Sequence, residues 1–160
     1  MNKSHLIHTI KKMLEKRFET AATAAHQAYE AATDKESVAE NKYDTFGLEA
    51  SYLAHGQSQR VIECENDLKH FLSMTFKDFN EDDAIAMGAL VELEESAGKQ
   101  ITCFISPCAG GQAFDFEGKN CLLITPSSPL GRALLGANLE DEVKVTIGAD
   151  TKFYEITHLS

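Results

Sequence analysis

The chain has 160 residues, of which 43% are hydrophobic, and a formal net charge of −10. That length allows one domain or two small ones and leaves neither half room for a large core. The negative balance argues against free DNA or RNA as the main ligand, because nonspecific nucleic-acid affinity comes from neutralising phosphates with Lys and Arg, so a protein partner is expected.

From Ser4, a plausible N-cap, apolar residues recur at Leu6, Ile10, Met13, Leu14, Phe18, Ala21, Ala24, Ala25, Ala28, Ala31 and Ala32. A period near 3.5 with Lys, Glu, Thr and Gln on the other faces predicts one helix whose seam tapers from large residues to alanines. Lys3, His5, Lys11 and Lys12 interrupt every early apolar cluster, which does not suit a signal peptide. No apolar run approaches the ~20 residues that cross a bilayer. A cytoplasmic protein without membrane contact is expected.

A second helical pattern runs from about Glu40 to Phe71 through Tyr43, Phe46, Ala50, Leu53, Gln57, Val61, Cys64 and Leu68. Gly47 and Gly56 each cost about 1 kcal/mol relative to Ala inside a helix, and close helix approach is the expected reason for them. Thr33 to Ala39 between the two seams is short and polar. Two seams of similar length joined in this way predict an antiparallel coiled-coil hairpin over residues 1–75, about 45 Å long at 1.5 Å per residue.

Phe76 to Asp83 is acidic and turn-like and reads as a linker. Residues 76–160 then change character. Ala89 to Glu94 and Gln100 to Ser106 flank Ser96-Ala97-Gly98-Lys99 as a hairpin, and Asn120 to Thr125 is an apolar strand. Ser128 opens a short helix with Pro129 at its first position and Gly136 just past its end. Glu142 to Ile147 and Lys152 to His158 are the last strands, split by Gly148-Ala149-Asp150. The fold class is α+β: a helical hairpin followed by a small β-rich domain.

Cys64, Cys103, Cys108 and Cys121 contain no CxxC and have no His at zinc-finger spacing, so they read as reduced small hydrophobes. Cys108-Ala109-Gly110-Gly111 looks superficially like a thiol beside an anion-binding turn, but no sequence-local base accompanies it. His26 and His55 could approach each other across the hairpin, though solvated helix-surface histidines are the simpler reading. No nucleophile elbow, Walker A loop or dinucleotide-binding glycine pattern is present.

The hairpin end is acidic. Glu30, Asp34, Glu36, Glu40, Asp44 and Glu49 stand against Lys35 and Lys42. Carboxylates at an exposed tip suit a hard divalent cation that keeps other ligands. Acids also favour helix starts for a plain electrostatic reason.

The segment Ile124-Thr125-Pro126-Ser127-Ser128-Pro129-Leu130-Gly131-Arg132, continuing through Gly136 to Asp141-Glu142-Val143, together with the long helical pair, resembles the bacterial Gre family of transcript cleavage factors. Ser128, Pro129, Leu130, Gly131, Gly136, Asp141 and Glu142 carry the motif, whose content is structural. The resemblance implies an FKBP-like C-terminal domain and a coiled coil that enters the secondary channel of bacterial RNA polymerase. It further implies that tip acids stand beside the polymerase magnesium and stimulate cleavage of backtracked transcripts. The candidate tip acids are Asp34, Glu36, Glu40 and Asp44, with Asn41, Lys42 and Tyr43 as neighbours.

On this reading the chain is a monomer with no catalytic residue of its own, and its contact with nascent RNA is indirect. Mg2+ is shared with the polymerase, and Glu36 and Glu40 are metal ligands only within that complex. Cleavage factors carry Asp three positions before the Glu-Asn pair. Glu40-Asn41 fits that pair, but Ser37 stands where the Asp would be. A channel regulator without cleavage is therefore the alternative, and a peptidyl-prolyl isomerase with a helical arm is a further one. A coiled-coil adaptor completed by a second copy is the remaining alternative.

Overall fold

The computed structural model describes residues 3–34, 45–96 and 98–160. Two long helices, α1 (Lys3–Thr33) and α2 (Phe46–Ser73), precede strands β1 (Leu90–Glu95), β2 (Gln100–Ile105), β3 (Ala113–Phe116) and β4 (Lys119–Ile124). A short helix α3 (Pro129–Leu134) and strands β5 (Glu142–Ile147) and β6 (Asp150–Leu159) complete the chain. The residues form two compact units. One is Lys11–Leu72; the other is the start of α1 to Ile10 together with Ser73–Ser160.

In the helical unit Leu14, Ala21 and Ala28 are buried on α1, at the seven-residue spacing of a coiled-coil seam, and Cys64 and Phe71 are buried on α2. Arg17 crosses to Asp67 at 3.2 Å, and both side chains are largely sheltered. That bond joins points far from the connection on each helix, as an antiparallel pair requires. The α2 seam does not run its predicted length. Phe46 and Leu53 occupy seam positions but stay 59% and 56% exposed.

Gly56 also departs from expectation. A Cβ built there meets nothing within 4 Å, so close helix approach does not explain it. Gly56→Ala is expected to raise stability by about 1 kcal/mol, the helix-propensity difference, measurable as a higher melting midpoint of the helical signal. An unchanged or lower midpoint would show that α2 is distorted at this turn.

The start of α1 belongs with the sheet. Ser4 lies inside α1, which is helical from the first described residue, Lys3, rather than at a cap. Lys3 donates to the Lys77 carbonyl, and its ammonium lies 4.5 Å from the centre of the Phe79 ring. His5 meets Phe116 with ring centroids 5.3 Å apart, and Leu6 is buried.

The sheet order is β3-β4-β2-β1-β6-β5. All neighbours are antiparallel except β2 and β4, which run parallel with Thr102 opposite Cys121. Val91, Leu93, Cys103, Ile105, Ile124, Val143, Val145, Tyr154 and Ile156 fill one face with Leu134 of α3 and with Phe79 and Ile85. The alternate residues Leu90, Phe104, Phe114, Phe116, Cys121 and Leu123 are buried on the other. Cys103, Phe104 and Ile105 are all 0% exposed, so β2 is covered on both sides.

Phe76–Asp83 is not a loose linker. Phe76 packs edge-on against Phe104 at 5.6 Å, and Phe79 is buried. Apolar burial of the two rings outweighs the acidic composition that suggested a tether. Strand β3 has no counterpart in the sequence reading. Its turn into β4 is Glu117-Gly118, both at positive φ (50° and 78°), the two-residue geometry that closes a twisted hairpin.

Candidate functional site

The end of α1 is stabilised locally by Thr33, whose hydroxyl donates to the Tyr29 carbonyl at 2.9 Å and lies 3.3 Å from that of Glu30. Asp34 follows and is exposed. The last turn of α1 holds no basic residue. Glu30 and Asp34 thus stand at the negative end of the helix dipole, the end that does not favour a carboxylate. His26 lies 3.5 Å from Glu30, but both side chains are largely exposed, and such pairs contribute little.

Glu49 is different. It sits in the first turn of α2, at the positive end of that dipole, and accepts a 2.7 Å hydrogen bond from the Thr45 hydroxyl. The plain electrostatic explanation for acids at helix starts therefore covers Glu49 and fails for Glu30 and Asp34. Glu36, Glu40, Asn41, Lys42, Tyr43 and Asp44 lie outside the described residues. Among the described residues no three His, Cys, Asp or Glu side chains come together as a metal ligand set. His55 is exposed, in line with the solvated reading.

The second set of singled-out residues shapes one turn. Ser128 Oγ donates to the Thr125 carbonyl at 2.8 Å and accepts from the Gly131 amide at 3.0 Å, capping α3, while Pro129 takes the first helical position, where no amide is needed. The Gly131 amide can reach that hydroxyl only because a Cβ is missing: one would lie 2.0 Å from the Thr125 carbonyl oxygen. Gly136 follows α3 at φ 83°, and its amide donates to the Ile85 carbonyl at 2.8 Å. Asp141 accepts from the Asn138 amide at 2.7 Å, and Glu142 is the exposed first residue of β5. Each of these roles is architectural.

The four cysteines are buried. Desolvation, with a smaller contribution from nearby Cys121, pushes the Cys103 thiol up to about 12, and burial raises the Cys121 thiol as well. Neither is a thiolate at neutral pH, so both behave as apolar side chains. At Cys108 the Ser106 hydroxyl donates to the Cys108 carbonyl at 2.7 Å, which makes the loop a buried turn. Phe104, Phe114, Phe116 and Tyr154 are consumed in the packing around the sheet, and Phe153 is exposed, so they do not converge on an aromatic pocket for a prolyl substrate.

Comparison with known proteins bears on the same C-terminal segment. The family described as "Transcription elongation factor, GreA/GreB, C-term" matches residues 80–160, which includes the whole Ser128–Glu142 motif. Transcription elongation factor GreA of Syntrophus aciditrophicus is 32% identical over 124 residues, 76% of this chain and 70% of that protein. The chain belongs to the GreA/GreB family.

Other relatives are matched over less of their length. GreA of Sphingopyxis alaskensis is 36% identical over 77 residues, 48% of this chain and 45% of that protein. The match thus spans about half the length of that GreA. Among solved structures, GreA factor homolog 1 of Thermus thermophilus covers 94% of each chain at 16% identity with a TM-score of 0.38. A likeness of that size carries no weight for function. The GreA/GreB family model covers the sheet domain, and no part of α1 or α2 falls inside it. Among the described residues, no helix is long and apolar enough to cross a membrane.

Proposed function

We propose that this Gre-family chain acts on bacterial RNA polymerase, binding at the secondary channel and inserting its helical hairpin so that the acids of the connection reach the polymerase active site. The supporting observation is the joining of a GreA/GreB C-terminal domain to two long helices whose connecting sequence is acidic. The sheet domain supplies docking and the hairpin supplies reach.

Carboxylate oxygens are the donors magnesium prefers, and Glu36 and Glu40 would help hold such an ion together with polymerase groups. When bound, the ion supplies a water of lowered pKa for phosphodiester hydrolysis. Asp34 and Asp44 add negative charge at the same end and disfavour approach of further phosphates. The polymerase remains the enzyme, and the factor contributes ligands.

A second reading, regulation from within the channel without cleavage, is favoured by Ser37 standing three residues before Glu40 in place of an Asp. One reaction separates the two. Added to a backtracked elongation complex and to an initiation reaction, the chain is expected to change polymerase output in at least one. A shortened transcript with a released 3′ fragment marks cleavage, and altered initiation alone marks regulation. No change in either, at concentrations up to saturation, removes the proposal.

A further inference from the structure

Strand β5 is a free edge of the sheet, at the end opposite β3. Its turn into β6 spans two residues, so Ile147 and Asp150 exchange hydrogen bonds, and the alternation of an antiparallel ladder runs on from that pair. Val143, Val145 and Ile147 turn their amides and carbonyls toward β6. Those of Glu142, Lys144 and Thr146 point outward, and among the described residues no backbone hydrogen bond other than the β6 ladder reaches this stretch. The six residues of β5 contain no proline, and their pairing with β6 shows no register shift, so two common obstacles to a further strand are missing.

One side of this edge has room for a side chain. Val143 and Val145 are buried, but Ile147, the next residue on the same face, is 61% exposed. A surface cavity of about 160 Å3 is lined by Val145, Ile147, Asp150 and Lys152, which are two facing pairs of the hairpin and share one side of the sheet. An apolar side chain on an added strand would fill this cavity and cover Ile147.

Charge decides what the added strand is. Glu140, Asp141 and Glu142 at the start of β5, Asp150 at its tip and Glu155 opposite Glu142 are all exposed. Against them stand Lys144 in mid-strand, Lys152, which lies 2.9 Å from Glu95, and Arg132 of α3, the helix packed on β5, which donates to the Ser127 carbonyl. The acids outnumber the cations and lie at both ends of the edge. A second copy of the chain meets its own charges there. Of the twofold pairings with the longest overlap, the one centred on Lys144 sets that lysine opposite itself, and the one centred on Val145 brings Glu140 opposite Asp150. An extended segment with Lys or Arg toward its ends and apolar residues on one face meets no such conflict.

We propose that the free edge of β5 takes up an extended segment of another protein as a further strand of the sheet, apolar on the side of Val145 and Ile147 and basic toward its ends. Main-chain hydrogen bonds to Glu142, Lys144 and Thr146 supply affinity, and the cavity beside Ile147 with the flanking acids selects the segment. This surface is built by the sheet domain alone and does not depend on the function proposed above.

The test titrates the full chain with the acetylated and amidated peptide Arg-Val-Thr-Val-Thr-Val-Lys and follows the backbone amides by NMR. Saturable binding below about 1 mM is expected. Exchange of the Glu142, Lys144 and Thr146 amides should slow at least tenfold, while the Val143 and Val145 amides, already bonded to β6, change little. The same peptide N-methylated at both threonines cannot pair along the edge and should bind at least tenfold more weakly. Thr146→Pro removes one outward amide without taking a bond from β6, a change that edge strands tolerate. Ile147→Ser removes the apolar wall at an exposed position. Each variant, with melting kept, is expected to weaken binding at least fivefold, and should Thr146→Pro fail to fold, Ile147→Ser gives the reading.

No binding of the peptide by the unmodified chain overturns the proposal. Equal binding of the N-methylated peptide, or equal binding by a folded variant, shows attraction between charges without strand addition and overturns it too. If instead the chain associates with itself and the same three amides become protected without peptide, the occupant is a second copy and the proposal falls.

Discussion

Gly131→Ala is expected to destabilise the sheet domain by about 3 kcal/mol or more, lowering its melting midpoint by roughly 12 °C or more. The added methyl would sit 2.0 Å from the Thr125 carbonyl oxygen, and that oxygen belongs to backbone and cannot rotate away. Relief requires α3 to lift, which breaks the Ser128 cap and pulls Leu134, 0% exposed, out of the core. Gly136→Ala makes a useful contrast. Nothing stands near its Cβ, so it meets only the left-handed backbone strain of φ 83°, about 1–2 kcal/mol. A Gly131→Ala protein melting within a few degrees of the parent would mean that the Thr125 turn is far softer than its hydrogen bonds indicate.

Glu36→Ala with Glu40→Ala is expected to reduce the effect on polymerase about 100-fold, the scale on which loss of one well-placed charge-stabilising group acts. Binding should change by no more than about threefold, because the sheet domain is untouched. The measurement pairs a transcription assay with a binding titration on the same preparations. A conservative Glu40→Gln separates charge from shape, and loss of function in it assigns the role to the carboxylate. Full activity in the double alanine protein would remove these acids from the mechanism and leave Asp34 and Asp44 as the groups to replace.

Much of the fold could be read from residue order because its periods are strong. The seven-residue recurrence of Leu14, Ala21 and Ala28 survives intact as burial, and Pro129 and Gly136 mark the two ends of α3 in the structure as they do in the sequence. Three features were not legible, each for a physical reason. Strand β3 is four residues long with only Phe114 and Phe116 facing inward, too few for a period of two to stand out. The exposure of the α2 seam residues Phe46 and Leu53 depends on what stands across the helix pair, which a one-helix pattern does not contain. Ser4 resembles a cap in the sequence, yet it lies inside α1.

The candidate site divides in the same way. The motif from Ser128 to Glu142 stands out because its shape requirements are severe: a hydroxyl, a ring and a missing side chain within four residues. Acids at a helix connection follow no such geometric rule. Their meaning came from polarity, with Glu30 and Asp34 at the unfavourable pole and Glu49 at the favourable one, which requires knowing where each helix ends.

The final strand of the sheet is also one of its inner ones. β6 lies between β1 and β5, with Leu90 and Ser160 exchanging backbone hydrogen bonds at 2.8 and 2.9 Å. As the chain leaves the ribosome, β1 therefore has one bare rim until some sixty later residues have appeared, and β5 has no neighbour at all. Assembly of this half must wait for β6 and then proceed at once. A nascent chain halted before residue 150 should be sensitive to protease and inclined to stick to others, whereas the helices made earlier can pair while synthesis continues.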